Sequence, residues 1–133
     1  MAYFTKTGVS YNEYKIQKYV SELPNILAPK AYEYNHETKT IRMQKIHGMS
    51  VADFYGEDAS NVPAWVFDEI RFIIKTLYMN GIEYPDITGY NFMLCDDKIY
   101  VIDFGHARAK KLIKNKFINK FIDGYNGWNL AFA

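Results

Sequence analysis

The stretch Tyr84-Pro85-Asp86-Ile87-Thr88-Gly89-Tyr90-Asn91, followed shortly by Ile102-Asp103-Phe104-Gly105, decides how this chain is read. Between them lie two short apolar runs, 92–95 and 99–102, joined by Asp96-Asp97-Lys98, the pattern of a β-hairpin. Asn91 immediately precedes the first run and Asp103 immediately follows the second. Antiparallel strands joined by a tight turn bring their outer ends within about 5 Å of each other. The hairpin therefore sets an amide oxygen beside a carboxylate. A second carboxylate, Asp86, lies upstream in a loop that also contains Pro85 and Gly89. Such a group of hard oxygens suits a Mg²⁺ ion that shares its shell with phosphate oxygens. Gly105 gives the backbone freedom to turn after Asp103.

Working outward, the strongest helical pattern in the chain precedes this loop. Over 63–79, Val66, Ile70, Ile73, Ile74 and Leu77 form one stripe, Pro63 sits in the first turn, and Asn80-Gly81 stops it. Further back, 31–34 and 41–46 read as two strands around a polar turn, and 50–55 as a short helix. Ser10-Tyr11-Asn12-Glu13 has the form of a capping box, followed by Ile16, Tyr19, Val20 and Leu23 at helical spacing. Residues 2–6 are rich in strand formers. Beyond Gly105, the segment 110–122 reads as a helix with Leu112, Ile113, Phe117, Phe121 and Ile122 on a broad apolar face.

The 133 residues fit one α+β domain with no linker long enough to part it in two. Aromatic side chains make up 17%, enough for a core at this size, and 23% charge is ordinary for a globular protein. A single cysteine, Cys95, excludes an internal disulfide framework and suits a reducing compartment, the cytoplasm or a host cytoplasm. No signal peptide and no membrane span are expected. The net charge of +1 demands no polyanion, yet six Lys/Arg against one Asp fall between His106 and Asp123. A basic helix at 108–120 is thus a possible docking face, and leaves nucleic acid open as a partner.

The two motifs resemble a known pair. Residues 84–91 resemble the catalytic loop of the protein-kinase-like superfamily, H-R-D-x-x-x-x-N, and Ile102-Asp103-Phe104-Gly105 resembles its D-F-G motif. The compact spacing is most similar to RIO-type and small bacterial effector kinases. The resemblance implies a minimal two-lobed fold, with a reduced small lobe at 1–47 and a reduced large lobe at 48–133. It also implies ATP and Mg²⁺ as cofactors. Asp86 would be the catalytic acceptor of the hydroxyl proton, while Asn91 and Asp103 would hold the metal. Lys6, positioned by Glu13, would pair with phosphates. Met43 would be the gatekeeper, and Gln44 and Ile46 would line the adenine site.

The pattern also departs from the family. Tyr84 and Pro85 replace the His and Arg of H-R-D, no G-x-G-x-x-G precedes Lys6, and no A-P-E follows Gly105. The small lobe is therefore expected without its first two strands, and the large lobe shortened after D-F-G. Glu13 has a competing reading as the N3 member of the capping box with Ser10, and Lys15 or Lys18 competes with Lys6. His36, His47 and His106 lack metal-ligand spacing and read as surface or hydrogen-bonding residues. The leading function is a Ser/Thr protein-kinase-like phosphotransferase acting on a protein substrate. The rivals are an inactive mimic that binds a kinase or its substrate, and a small-molecule phosphotransferase of the aminoglycoside- or choline-kinase kind.

Overall fold

The computed structural model of the chain describes residues 2–109 and 115–132. Its first half is a three-stranded antiparallel sheet with one helix. The strands are β1 (Tyr3–Lys6), β2 (Ala31–Asn35) and β3 (Thr40–Gln44), in the order β1-β3-β2. The helix, α1 (Tyr11–Ser21), starts where the Ser10 hydroxyl accepts from Glu13 N–H at 3.1 Å. Its buried face carries Glu13, Ile16, Gln17 and Val20, two of them polar. Val9, Ile41 and Met43 form a small apolar cluster under the sheet, edged by Tyr14, Ala31 and Tyr34.

The second half is built on α3 (Ala64–Met79), preceded by β4 (Met49–Ser50) and the short α2 (Val51–Tyr55). Val66, Phe67, Ile70, Ile74 and Leu77 on α3 are fully buried. Each such side chain contributes roughly 1.5–3 kcal/mol relative to exposure, so this stripe is the main stabiliser of the fold. Next come β5 (Ile82–Glu83), β6 (Phe92–Cys95), β7 (Lys98–Val101), β8 (Arg108–Ala109) and α4 (Lys116–Ile122). They complete a β4-β6-β7 sheet and a β5-β8 pair. No helix among the described residues is long and apolar enough to cross a membrane.

The two halves share packing. Ile16, Val20, Ile26 and Ala28 join the large cluster around α3. Leu27 forms a parallel bridge with Tyr100, and Val101 N–H donates to the Leu27 carbonyl at 2.9 Å.

Two expectations are corrected. The hairpin turn has two residues, not three, because Asp96 takes a φ of 57° and Lys98 pairs with Cys95. The second strand therefore ends at Val101 rather than Ile102. The expected basic helix at 108–120 is also revised. Arg108 and Ala109 form a strand whose register places Arg108 opposite Glu83, a favourable cross-strand pairing of charges. Among the described residues, α4 starts at Lys116, and the intervening 110–114, with Leu112 and Ile113, lie outside the described residues.

Candidate functional site

The hairpin register determines where the site residues fall. Ile102 N–H donates to the Asn91 carbonyl at 2.9 Å, so Asn91 stands opposite Ile102 and Asp103 lies one residue further out. Asp103 has a φ of 61°, a left-handed conformation that Asp and Asn tolerate better than most residues. Its Oδ1 accepts from Gly105 N–H at 3.1 Å and lies 3.5 Å from Lys6 Nζ. A side chain on Gly105 would begin 3.2 Å from that oxygen and 3.5 Å from Glu13 Oε1. The glycine thus keeps room where two carboxylates converge.

Lys6 comes from the end of β1 and reaches both acids. Its Nζ donates to Glu13 Oε2 at 3.0 Å. Burial opposes the charge on Lys6, but the hydrogen bond to Glu13 and the charges of Asp103 and Glu13 outweigh it, so its pKa is raised. The ammonium therefore stays charged at neutral pH. Among the described residues, Lys6, and neither Lys15 nor Lys18, meets these acids.

A cavity of about 420 Å³ opens beside this cluster. Lys6, Met43, Gln44, Ile46 and Asp103, all named from the sequence, line it. So do Phe4, Gln17 and Met93, which sequence reasoning missed. Gln17 is 3% exposed, and its Nε2 donates to the Pro29 carbonyl at 3.1 Å and contacts Met43 Sδ at 3.3 Å, fixing that side chain at the cavity wall. Along the rim, Gln44 N–H donates to the Lys30 carbonyl and Lys45 N–H to the Ala2 carbonyl. Ile46 N–H donates to none of the described residues. This leaves a free backbone donor on a residue that lines the cavity.

Asp86 sits in a loop whose backbone carbonyls are mostly hydrogen-bonded. Its carbonyl accepts from Thr88 N–H at 3.0 Å and from Asn91 Nδ2 at 2.9 Å. The Gly89 carbonyl accepts from Ala52 N–H at 2.9 Å, which ties the loop to α2. Only glycine allows that approach, since a Cβ would lie 2.9 Å from the Ala52 Cβ. The Asp86 carboxylate is nearly buried, with Oδ2 at 3.0 Å from His106 Nδ1. Twenty residues separate the two, and no local pattern signals the pair. Tyr84, fully buried, donates its hydroxyl to the Ile102 carbonyl at 2.6 Å, bracing the turn into Asp103. Burial, and after it the charges of Asp86, Asp103 and Glu13, pushes its phenol well above the ordinary range.

Among the described residues, no three His, Cys, Asp or Glu side chains group as a metal cage. The donors on offer are the Asn91 amide oxygen and the Asp103 carboxylate. That set fits a Mg²⁺ ion, which characteristically takes one or two protein oxygens and completes its shell with phosphates and water.

No family model matches the chain. It is similar to the probable bifunctional tRNA threonylcarbamoyladenosine biosynthesis protein of Methanococcus maripaludis strain C7, at 28% identity over 127 residues, covering 80% of this chain and 22% of that protein. The counterpart in strain C5 is 30% identical over 97 residues, covering 73% of this chain and 17% of that protein. The probable serine/threonine-protein kinase BUD32 homolog of Archaeoglobus fulgidus is 35% identical over 71 residues, covering 53% of this chain and 33% of that protein. The chain thus spans about a fifth of the length of the two Methanococcus proteins and a third of the Archaeoglobus kinase. In sequence the chain is thus similar both to proteins named for tRNA threonylcarbamoyladenosine biosynthesis and to one named as a probable serine/threonine-protein kinase.

Proposed function

We propose that the chain is an ATP- and Mg²⁺-dependent phosphotransferase that moves the γ-phosphoryl group to a protein Ser or Thr hydroxyl. The observation that carries this reading is Lys6 Nζ, 3.0 Å from Glu13 and 3.5 Å from Asp103, at the edge of a cavity of nucleotide size. A mimic has no need of a charged lysine held between two acids, which favours an enzyme.

In the proposed reaction the base enters along Met43, Gln44 and Ile46, and Lys6 neutralises phosphate charge while Glu13 keeps it in place. Magnesium held through Asn91 and Asp103 would supply further neutralisation of the phosphates. The acceptor hydroxyl loses its proton to Asp86 as its oxygen bonds to the γ-phosphorus, and the bond from that phosphorus to the ADP oxygen breaks. His106 engages Oδ2 of Asp86, so the hydroxyl would be met at Oδ1. The names of the relatives suggest the setting, tRNA threonylcarbamoyladenosine biosynthesis from the Methanococcus proteins and a protein-kinase activity from the Archaeoglobus one.

The test is transfer of labelled γ-phosphate from ATP to generic protein acceptors, with wild type and Asp86→Asn. General-base catalysis contributes about 10²–10⁴-fold, so the variant is expected to lose at least about 100-fold in rate. Transfer only to small hydroxyl compounds would support the small-molecule reading instead. No transfer to any acceptor, with a stable protein complex, would support the mimic.

A further inference from the structure

After α4 the chain returns across the large core to the loop that carries Asp86. Three anchors hold this return. Arg71 of α3, 8% exposed, donates Nε to the Phe121 carbonyl at 2.7 Å and Nη2 to the Tyr125 carbonyl at 3.1 Å and to Asn126 Oδ1 at 2.7 Å. Trp128, 8% exposed, packs its ring 4.8 Å from that of Phe67. Asn129, 7% exposed, then bonds the loop itself. Its backbone N–H donates to the Ile87 carbonyl at 2.8 Å, and its Nδ2 donates to the Pro85 carbonyl at 2.9 Å.

Pro85 and Ile87 flank Asp86. Elsewhere the loop backbone is bonded from outside at Gly89, by Ala52, and at Asn91, by Ile102, both on the far side of Thr88, while Tyr84 is braced through its side chain. Among the described residues, the backbone on either side of Asp86 is bonded from outside the loop by Asn129. The same segment also reaches the carboxylate side, because the Phe132 ring lies 5.1 Å from that of His106, which in turn holds Asp86 Oδ2.

We infer that Asn129 is a positioning residue for Asp86, fixing the peptide units on either side of it so that its carboxylate meets the acceptor hydroxyl. This inference rests on the phosphotransferase reading above. Misplacing a reacting group by about 1 Å can cost about 10²-fold in rate, so a clamp on this backbone acts on turnover. It does not act on nucleotide binding, because the cavity is lined by other segments.

The experiment compares Asn129→Ala with Leu130→Ala, the next residue, which is 85% exposed. ATP turnover, ATP–Mg²⁺ affinity and amide hydrogen exchange are measured for each. Asn129→Ala is expected to lower kcat at least about tenfold with KM for ATP within about twofold, and to speed exchange in 84–91 while α3 keeps its protection. Leu130→Ala is expected to match wild type. If Asn129→Ala does not fold, Asn129→Ser, which also lacks the amide donor to Pro85, takes its place. A kcat within twofold of wild type, or a fall in kcat matched by a rise in KM and loss of protection throughout, would overturn the positioning role. A wild-type chain that binds no ATP–Mg²⁺ would instead overturn the phosphotransferase reading. Exchange in 84–91 then decides the clamp by itself, faster exchange supporting it and unchanged exchange overturning it.

Discussion

The backbone N–H of Glu13 completes the Ser10 cap while its carboxylate holds Lys6 at 3.0 Å. The two readings of this residue compete only if the side chain must serve the helix. A cap that uses the backbone leaves the acid free for the site. Lys6→Met removes the ammonium and leaves Glu13 buried without its cation. ATP affinity is expected to fall at least about tenfold, or about 1.4 kcal/mol. In a double-mutant cycle, Glu13→Gln should weaken ATP binding clearly when Lys6 is present and little when it is Met. Additive losses would mean that Glu13 does not act through Lys6. Asp86, Asn91 and Asp103 could be named from the sequence because they fall on two ordered motifs, whereas Lys6, Met43, Gln44 and Ile46 were named by resemblance alone. His106, Gln17 and Asn129 were not, since each finds its partner through tertiary folding, Asn129 across 44 residues.

Among the elements, the long α3 and the hairpin were readable from periodicity and turn chemistry, and their bounds shift by a residue or so. The slip in the hairpin has a physical cause. A charged turn such as Asp96-Asp97-Lys98 does not reveal whether two or three residues make it, and only the φ of 57° at Asp96 decides. Strands β4, β5 and β8, of two residues each, are too short to leave a periodic signal. Residues 108 and 109 became strand because pairing with 82 and 83 overrode helix propensity. At the contact between α2 and the loop, Gly89→Ala would drive a Cβ to 2.9 Å from Ala52 Cβ and 3.2 Å from Ala52 N, and the Ala52–Gly89 bond must lengthen. The expected cost is about 1–3 kcal/mol, typical of overpacking, read as a lower urea midpoint with phosphoryl transfer reduced as well. Wild-type stability and rate in this variant would show that the junction yields freely.

For the whole molecule, the pKa shifts set a direction with pH. Burial drives Tyr84 well above its ordinary value, and burial, chiefly, drives Tyr78 to about 12. Unfolded tyrosines ionise near 10, so above that pH the unfolded chain holds fewer protons than the folded one. Stability must then fall as pH rises. Lys6 acts in the same sense: its contribution is complete below the ordinary lysine range and is lost as pH climbs through its raised value. The urea midpoint is expected to drop between pH 9 and 11.5, and to drop less steeply in Tyr84→Phe, although that variant starts lower for want of the bond to Ile102. Equal slopes would deny the burial of Tyr84. The central claim, that a cavity, a lysine and a hairpin together hold ATP–Mg²⁺, is tested most directly by calorimetric titration of wild type and Asp103→Asn with ATP, with and without Mg²⁺. Asparagine tolerates the φ of 61° at this position, so the variant should keep its fold. The expected result is ATP binding that Mg²⁺ strengthens in wild type, with that gain abolished in Asp103→Asn. Identical ATP affinity in the two proteins with Mg²⁺ present would contradict it.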